Sequence, residues 1–467
     1  MNQSIQPSQS SPSMYEQLKN SQFARLFLIT FLILVLQIPT AMMQGLVSDR
    51  QNLRQEAISS ITSNWGREQT ILGPRLYVPY IRRSQVGKDE KSEVKYGTFL
   101  PDDLQVSGKL KTEVRYRGIF EVPIYQTKLD IRGRFVRPDV VSWGVRPEDV
   151  LWDRAELSLQ ISDAHAIQTQ ATLGWNQKSI PFTAGQGKYG GPEQGIHANL
   201  KDQIKGESFD FAIPLTVNGS EKIKFAPFGK ITKVSLNSDW TNPSFQGVWL
   251  PNQRSVTPKG FDATWDIPSL GRNYPQQWNN ESPVSPELIQ ASLFGVDLIS
   301  PVDNYRMSDR SIKYNYLFLI LTFAVFWLFE TATRLRVHPL QYLLVGVAMS
   351  MFYLLQLAIS EHLGFKIGYL TATGAVVILI TAYSVSVLRA KKRGAIVGVM
   401  QAALYSYLYV VLANQDYSLL MGSIGLFVFL AIIMYFTRRM ESLEPPLSPK
   451  RVEPQPIRPE PSAPEMP

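Results

Sequence analysis

The chain has 467 residues, a formal net charge of +8 and no cysteine. The lack of cysteine excludes disulfide bonds, thiolate catalysis and metal sites that use cysteine. The basic residues are spread along a polar region and clustered at the ends of apolar runs, as expected of charges that set membrane topology. Their number therefore does not indicate binding to nucleic acid.

An apolar run follows the polar start of the chain. We predict that residues 1–25 form a disordered cytoplasmic N-terminus. Residues 26–46 are predicted to form the first transmembrane helix, since a span requires ~20 residues. Lys19 and Arg25 precede the run as in a signal peptide, which leaves a cleaved signal as an alternative. No A-x-A cleavage site follows, and its absence favours a retained anchor.

The long polar segment 47–315 is predicted to form a mainly β domain. A helix is expected over 47–65, where apolar residues recur at helical spacing and form a stripe that docks on the following domain. Further along, apolar and polar residues alternate, and turn signals separate the runs without a long helical pattern. This pattern predicts a sandwich-like β domain. The glycine-rich loop 185–195 is predicted to be a flexible joint between two subdomains, and a single domain is the alternative that stays open.

Five further apolar runs predict a C-terminal bundle of transmembrane helices over 316–440. Their predicted limits are 316–335, 339–360, 367–388, 395–413 and 418–436. The connectors on one side of the predicted bundle are rich in Arg and Lys, whereas those on the other side carry few basic residues. The positive-inside rule therefore places both termini in the cytoplasm and residues 47–315 on the outer side. Residues 441–467 are rich in Pro and Glu, which predicts a disordered cytoplasmic tail.

Several long blocks of sequence carry a resemblance to a known family. They are GIFEVPIY at 118–125, SDWTNPSFQGVWLP at 238–251, RSIKYNYLFLILTFAVFWLFE at 310–330, HPLQYLLVGVAMSMFYLLQLAISEHLGF at 338–365 and RAKKRG at 389–394. Together they resemble the CreD family of inner-membrane proteins of Gram-negative bacteria. The resemblance implies one N-terminal span, a large periplasmic domain at 47–315 and a multispan bundle. It also implies a link to cell-envelope integrity, downstream of a two-component sensor system, and it supplies no catalytic residues.

The sequence contains no motif that indicates an enzyme. None of the four histidines has the spacing of a zinc site, and neither G-x-S-x-G nor a P-loop is present. Ser92 and Lys95 match S-x-x-K, but they stand in a strand-like stretch and the K-T-G motif of penicillin-binding enzymes is absent. We therefore expect no catalytic residue, no cofactor and no metal site.

Polar side chains within the predicted bundle are the candidate functional residues, because such groups are costly inside a membrane. These candidates are Glu330, Arg334, Gln356, Glu361 and His362. Glu330 either forms an ion pair with Arg334 at the membrane interface or faces a polar cavity, where it titrates or binds a ligand. Gln356 is expected to form an interhelical hydrogen bond. Glu361 and His362 either meet water at the outer face or respond to pH.

Two classes of function remain open. In the first, the protein is a non-enzymatic envelope protein with a role in envelope integrity and envelope stress response. Its β domain binds an unidentified periplasmic or envelope component, and the bundle anchors it in the lipid bilayer. In the second, the protein is a transporter or a membrane-embedded enzyme that works through the bundle. The large β domain, the missing catalytic motifs and the resemblance favour the first class, whereas the number of spans and Glu330 support the second.

Overall fold

The computed structural model describes residues 22–86, 89–201, 203–298, 304–333, 337–414 and 417–437. Both ends of this described chain contribute to an α-helical bundle, and the segment between them forms a β domain. This architecture confirms the predicted fold class of apolar helices with a mainly β domain. Of the predicted disordered termini, residues 1–21 and 441–467 lie outside the described residues, whereas 22–25 belong to a helix, so the prediction of disorder is wrong for these four residues.

The described helices include one short helix in the β domain, and the others belong to the bundle. Their bounds are α1 (Gln22–Val35), α2 (Gln37–Trp65), α3 (Pro286–Ala291), α4 (Asn304–Lys313), α5 (Asn315–Thr333), α6 (Pro339–Leu363), α7 (Phe365–Val387), α8 (Lys391–Ala413) and α9 (Ser418–Thr437). Each of the six predicted apolar runs overlaps the bundle helices, and the first run, 26–46, covers most of α1 and the start of α2. The short helix is α3.

Several of these helices are long and apolar enough to cross a bilayer. Within the described residues, four segments meet this criterion: Ala24–Trp65, Pro339–Leu363, Phe365–Val387 and Lys391–Ala413. A fifth span arises if α4 and α5, which meet at an angle of 42°, are counted as one segment. The stretch Ser418–Ile432 is a shorter apolar helix. The helices of the bundle therefore have the length and composition of a membrane-spanning protein.

The β domain contains two sheets. The first consists of β1 (Gln69–Val86), β2 (Asp89–Phe99), β5 (Glu156–Ile161), β8 (Thr183–Ala184), β9 (Gly195–Asn199), β11 (Lys222–Phe225), β13 (Pro243–Gly247), β16 (Gln277–Asn279) and β17 (Phe294–Leu298). The second consists of β3 (Asp103–Arg117), β4 (Phe120–Val136), β6 (Thr172–Trp175), β7 (Lys178–Pro181), β10 (Ser208–Ser220), β12 (Ile231–Ser238), β14 (Gln253–Thr257) and β15 (Gly260–Pro268).

Long strands lie at the centre of each sheet: β1 in the first, and β3, β4 and β10 in the second. The order in the first sheet is β13-β17-β11-β1-β5-β9-β8. In this sheet β2 also pairs with β1, and β16 pairs with β2. The order in the second sheet is β14-β15-β12-β3-β4-β10-β6-β7. The alternation in the sequence produces one buried face, as in β12, where buried and exposed residues alternate along the whole strand. The loop 185–195 joins β8 to β9, which are neighbours in the first sheet.

The two sheets pack their apolar faces against each other. Trp265 of the second sheet contacts Phe245 and Phe294 of the first, with ring centroids 5.8 Å and 5.6 Å apart. Buried side chains from both sheets belong to one continuous hydrophobic cluster. The β domain thus has a single core, and its burial is the main source of the domain's stability.

Helix α2 connects the bundle to the β domain. Near its end, Ile58 packs with Val122 and Ile124 of β4, and the indole Nε1 of Trp65 donates a hydrogen bond of 3.1 Å to the backbone carbonyl of Tyr125. The end of α2 therefore docks on β4 through Ile58, Ile61 and Trp65, whereas Leu53 of the predicted stripe is 44% exposed. This contact fixes the β domain to the end of the first span.

The first span forms part of the bundle wall. Leu36 is 1% exposed and lies so close to Gly346 of α6 that a Cβ at Gly346 would be 2.2 Å from Leu36 Cδ1. Nearby, Asn315 donates a buried hydrogen bond of 2.6 Å from Nδ2 to Thr40 Oγ1. A segment with these contacts contributes to the packing of the whole bundle.

Candidate functional site

Glu330 lies near the end of α5, and only 5% of its side chain is exposed. Its Oε1 atom is 2.9 Å from Nη1 of Arg25 in α1. The hydroxyl of Tyr342 in α6 donates to Oε2 at 3.1 Å, and the backbone N–H of Val337 donates to Oε1 at 3.4 Å. The predicted partner, Arg334, lies outside the described residues. The carboxylate of Glu330 therefore links three helices, and Arg25 supplies a countercharge.

Gln356 is fully buried and links α6 to α4. Its Nε2 donates to the hydroxyl of Ser308 at 3.2 Å, and its Oε1 accepts from the hydroxyl of Ser311 at 3.1 Å. A second buried amide, Gln401 of α8, donates to the hydroxyl of Thr322 in α5 at 2.7 Å. Hydrogen bonds of this kind hold membrane helices together and contribute about 0.6 to 2 kcal/mol each.

Glu361 and His362 lie at the end of α6 that faces the β domain. The side chain of Glu361 is 8% exposed, and its Oε1 lies 3.4 Å from Nε of Arg50 and accepts a hydrogen bond of 3.0 Å from the Tyr305 hydroxyl. His362 is exposed. The helical rise places Glu361 about 28 Å from Tyr342, the partner of Glu330. The structure thus brings Glu361 and His362 together but keeps both apart from Glu330.

Two arginines of the first span complete these clusters, and neither was predicted as a partner from the sequence. Arg25 pairs with Glu330 at one end of the bundle, and Arg50 pairs with Glu361 at the other. The available signal was that a basic residue stands near each end of the run 26–46, while Glu330 stands near one end of the second apolar run and Glu361 near the opposite end of the third. Charges at equal depth in a bilayer can meet when their helices pack.

A cavity of about 540 Å³ lies where the bundle meets the β domain. Its wall combines the hairpin between β3 and β4, the start of α4 and the corner between α6 and α7, which includes Glu361 and His362. The hairpin contacts the bundle through Phe120, whose ring centroid is 6.3 Å from that of Tyr305. The cavity therefore belongs to the joint between the two parts.

A second cavity, of about 300 Å³, opens in the β domain. Arg75 of β1 lines it and is 9% exposed. Its Nη2 donates to the side-chain oxygens of Gln160 and Gln186, at 2.7 Å and 2.8 Å. Its buried Nε has no hydrogen-bond partner within the described chain. Arg75 could not be predicted as a site residue from the sequence, because nothing in the local pattern distinguishes it from the other arginines.

The loop 185–195 helps to hold this guanidinium. Gln186 is 2% exposed, and its Nε2 lies 3.4 Å from both a carboxylate oxygen of Glu193 and the backbone carbonyl of Gln194. These contacts fix the amide oxygen that accepts from Arg75. The loop predicted as a flexible joint therefore forms part of a cavity wall in the β domain.

Comparison with known proteins agrees with this architecture. The family model described as "Inner membrane protein CreD" matches residues 21–442. The protein named "Inner membrane protein CreD" of Escherichia coli (strain K12) is 28% identical over 431 residues, which cover 91% of this chain and 94% of that protein. The match extends over the first span, the β domain and the bundle. The chain therefore belongs to the CreD family of inner membrane proteins.

Proposed function

We propose that this protein is a non-enzymatic envelope protein whose β domain stands in the periplasm and binds an envelope component, while the bundle anchors it in the inner membrane. It contributes in this way to cell-envelope integrity and to the envelope stress response. The observation that carries the proposal is the cavity around Arg75, which is lined by a guanidinium that has no carboxylate partner among the described residues and whose buried Nε has no acceptor there.

The candidate carboxylates of the bundle support an anchoring role. Glu330 and Glu361 each pair with an arginine of the first span and each accept a hydrogen bond from a tyrosine. Carboxylates that already have a cation and a donor are suited to holding helices together, whereas a transported ion or substrate would have to compete with these partners. The bundle therefore serves to fix the first span to the later helices.

The proposed orientation follows from the charges at the two ends of the bundle. The connector between α7 and α8 carries the basic residues of 389–393 and lies at the end opposite the β domain. Since the natural chain lacks cysteine, a single introduced cysteine reports its own side of the membrane. We expect a membrane-impermeant maleimide to label Leu270→Cys in cells with a permeabilised outer membrane, and to label Lys392→Cys only after the inner membrane is opened. The reverse labelling would contradict this orientation.

A complementation assay tests the function. A strain that lacks the protein would receive the natural chain, Arg75→Gln, Glu330→Gln or Arg132→Gln, and its permeability to large antibiotics and detergent would be measured. Arg132 is the control because its side chain is 67% exposed on the second sheet. We expect the natural chain, Glu330→Gln and Arg132→Gln to restore the barrier, and we expect Arg75→Gln to fail.

The opposite result would support the second class of function. If Glu330→Gln fails to restore the barrier at equal abundance in the membrane while Arg75→Gln succeeds, the activity lies in the bundle. The protein would then be a transporter or a membrane-embedded enzyme, and the proposal for the β domain would be wrong.

A further inference from the structure

We infer that the cavity around Arg75 binds a sugar that carries a carboxylate or a phosphate group. The inference rests on the proposed function, since it names the chemistry of the component that the β domain binds. Three features of the cavity carry it: an arginine with unused donors, a wall of aromatic rings, and side-chain amides beside those rings.

Arg75 determines the charge of the ligand. A buried guanidinium is costly unless an anion or several hydrogen bonds compensate for its lost hydration. Only Nη2 is used by protein acceptors, and no carboxylate of the described residues lies within ion-pair distance of Arg75. Glu193 also lines the cavity, but it is exposed and contacts the amide of Gln186. A planar guanidinium with free N–H groups matches the two oxygens of a carboxylate or a phosphate.

The aromatic wall indicates the shape of the ligand. Tyr77, Tyr96, Tyr189 and Trp278 line the cavity. The rings of Tyr77 and Tyr96 are inclined by 73°, and those of Tyr96 and Tyr189 by 40°. Neither pair offers two parallel faces that would enclose a flat base. A sugar ring needs only one ring face for its apolar C–H side, and an inclined group of tyrosines provides such faces.

Amides beside the rings can bind the hydroxyl groups of a sugar. The Oδ1 atoms of Asn279 and Asn280 already accept backbone N–H groups, of Glu281 at 3.1 Å and of Tyr96 at 3.3 Å. The Nδ2 groups of both asparagines are therefore the donors that remain for a ligand. The cavity volume of about 300 Å³ is at the lower end of the range for small-molecule sites, which fits a small sugar better than a long polymer.

Calorimetric titration of the full chain in lipid nanodiscs tests the inference. The probes are D-glucuronate, D-glucose 6-phosphate, D-glucose and inorganic phosphate. We expect at least one of the two anionic sugars to bind. D-glucose and inorganic phosphate should each bind roughly tenfold or more weakly than that sugar, because the anionic group and the sugar ring contribute separately to the affinity. Binding of glucuronate alone would identify a sugar acid, and binding of glucose 6-phosphate alone would identify a sugar phosphate.

Two substitutions locate the binding. Arg75→Gln should weaken the binding of the anionic sugar roughly tenfold to hundredfold. Tyr189→Ala removes a half-buried ring of the wall and leaves Arg75 in place, and it should also weaken this binding. Arg132→Gln should have no effect, and an unchanged unfolding temperature would show that each variant is folded. Equal binding of inorganic phosphate and glucose 6-phosphate would overturn the sugar assignment. Failure of both anionic sugars to bind would overturn the ligand class, and full binding by Arg75→Gln and Tyr189→Ala would overturn the site.

The titration and the complementation assay separate the two proposals. If the anionic sugars do not bind but Arg75→Gln still fails to restore the envelope barrier, the ligand class is wrong and the proposed function stands. If an anionic sugar binds through Arg75 and Arg75→Gln restores the barrier, the sugar site stands and its proposed role in the envelope is wrong.

Discussion

The ion pair between Arg25 and Glu330 allows a quantitative test of how the first span joins the bundle. Removing one partner of a buried ion pair costs roughly 3–5 kcal/mol when the other charge stays buried. Arg25 is 30% exposed and Glu330 is 5% exposed, so the two substitutions should not be equivalent. Arg25→Gln leaves a buried carboxylate without its countercharge, whereas Glu330→Gln leaves a guanidinium that can reach water or lipid headgroups.

The hydrogen bonds that remain after each substitution determine the expected loss in the free energy of unfolding. After Arg25→Gln, the carboxylate keeps its hydrogen bonds from Tyr342 and from the backbone of Val337, so we expect a loss of about 2 kcal/mol, below the range for an entirely buried pair. After Glu330→Gln, the new amide oxygen can still accept from Tyr342, and we expect a loss of about 1 kcal/mol. The double variant should cost no more than Arg25→Gln alone, because its buried amide carries no charge.

Equilibrium unfolding of the purified full chain in mixed detergent micelles, followed by circular dichroism, measures these losses. Lys313→Gln is the matched control, since Lys313 forms a 2.7 Å ion pair with Asp309 but is 63% exposed, and such a pair contributes less than about 0.5 kcal/mol. The assigned role of the ion pair is wrong if Arg25→Gln lowers the free energy of unfolding no more than this control does. It is also wrong if Glu330→Gln lowers that free energy more than Arg25→Gln does.

Two further predictions concern packing and pH. Gly346→Ala should lower the free energy of unfolding by about 1–3 kcal/mol, because its Cβ would meet Leu36, whereas Gly374→Ala, with nothing within 4 Å of a new Cβ, should not lower it. The Arg83 guanidinium, which donates hydrogen bonds to Asp149, holds the pKa of Asp149 below its usual value. This carboxylate therefore stabilises the fold above about pH 4, and the contribution is lost as the pH falls through the lowered pKa. Asp149→Asn should lower the unfolding temperature at about pH 7, and this difference from the natural chain should shrink as the pH falls below about 4.

The pKa of Asp297 in β17 is shifted in the opposite direction to that of Asp149, so Asp297→Asn serves as a control. Burial raises the pKa of Asp297, and the positive charge of Lys222 only partly opposes this effect. The folded state then holds the proton more tightly than the unfolded state, so stability falls as the pH rises toward the raised pKa. Asp297→Asn should raise the unfolding temperature at about pH 7. A decrease there, or equal behaviour of the two asparagine variants across the pH range, would contradict the assignment.

Residues that follow a local pattern could be predicted from the sequence alone. The apolar runs predicted the bundle helices because a span needs an apolar stretch of fixed length. Alternation predicted strands because one face of each sheet is buried, as β12 shows along its whole length. The candidate Gln356 was also found in this way, since a polar side chain within an apolar run is visible without knowledge of its neighbours.

The arginines of the two polar clusters and of the cavity could not be assigned a role in this way. Arg25 and Arg50 have the same local signature as any basic residue beside a span, and Arg75 stands in an ordinary strand. Their roles depend on partners that are distant in sequence: Glu330, Glu361 and Gln186. A sequence pattern shows that a charge is present but does not show which charge it meets.

Composition and short-range period were enough to predict the membrane helices, the β class of the long polar segment and the absence of cysteine chemistry. The tertiary structure alone decided that α1 and α2 join the bundle through Leu36 and Thr40, and that the loop 185–195 becomes a wall of the Arg75 cavity. The physical reason is that hydrophobic burial is non-directional, so a local pattern fixes which residues are buried. Hydrogen bonds and ion pairs require defined distances, which only the packed structure provides.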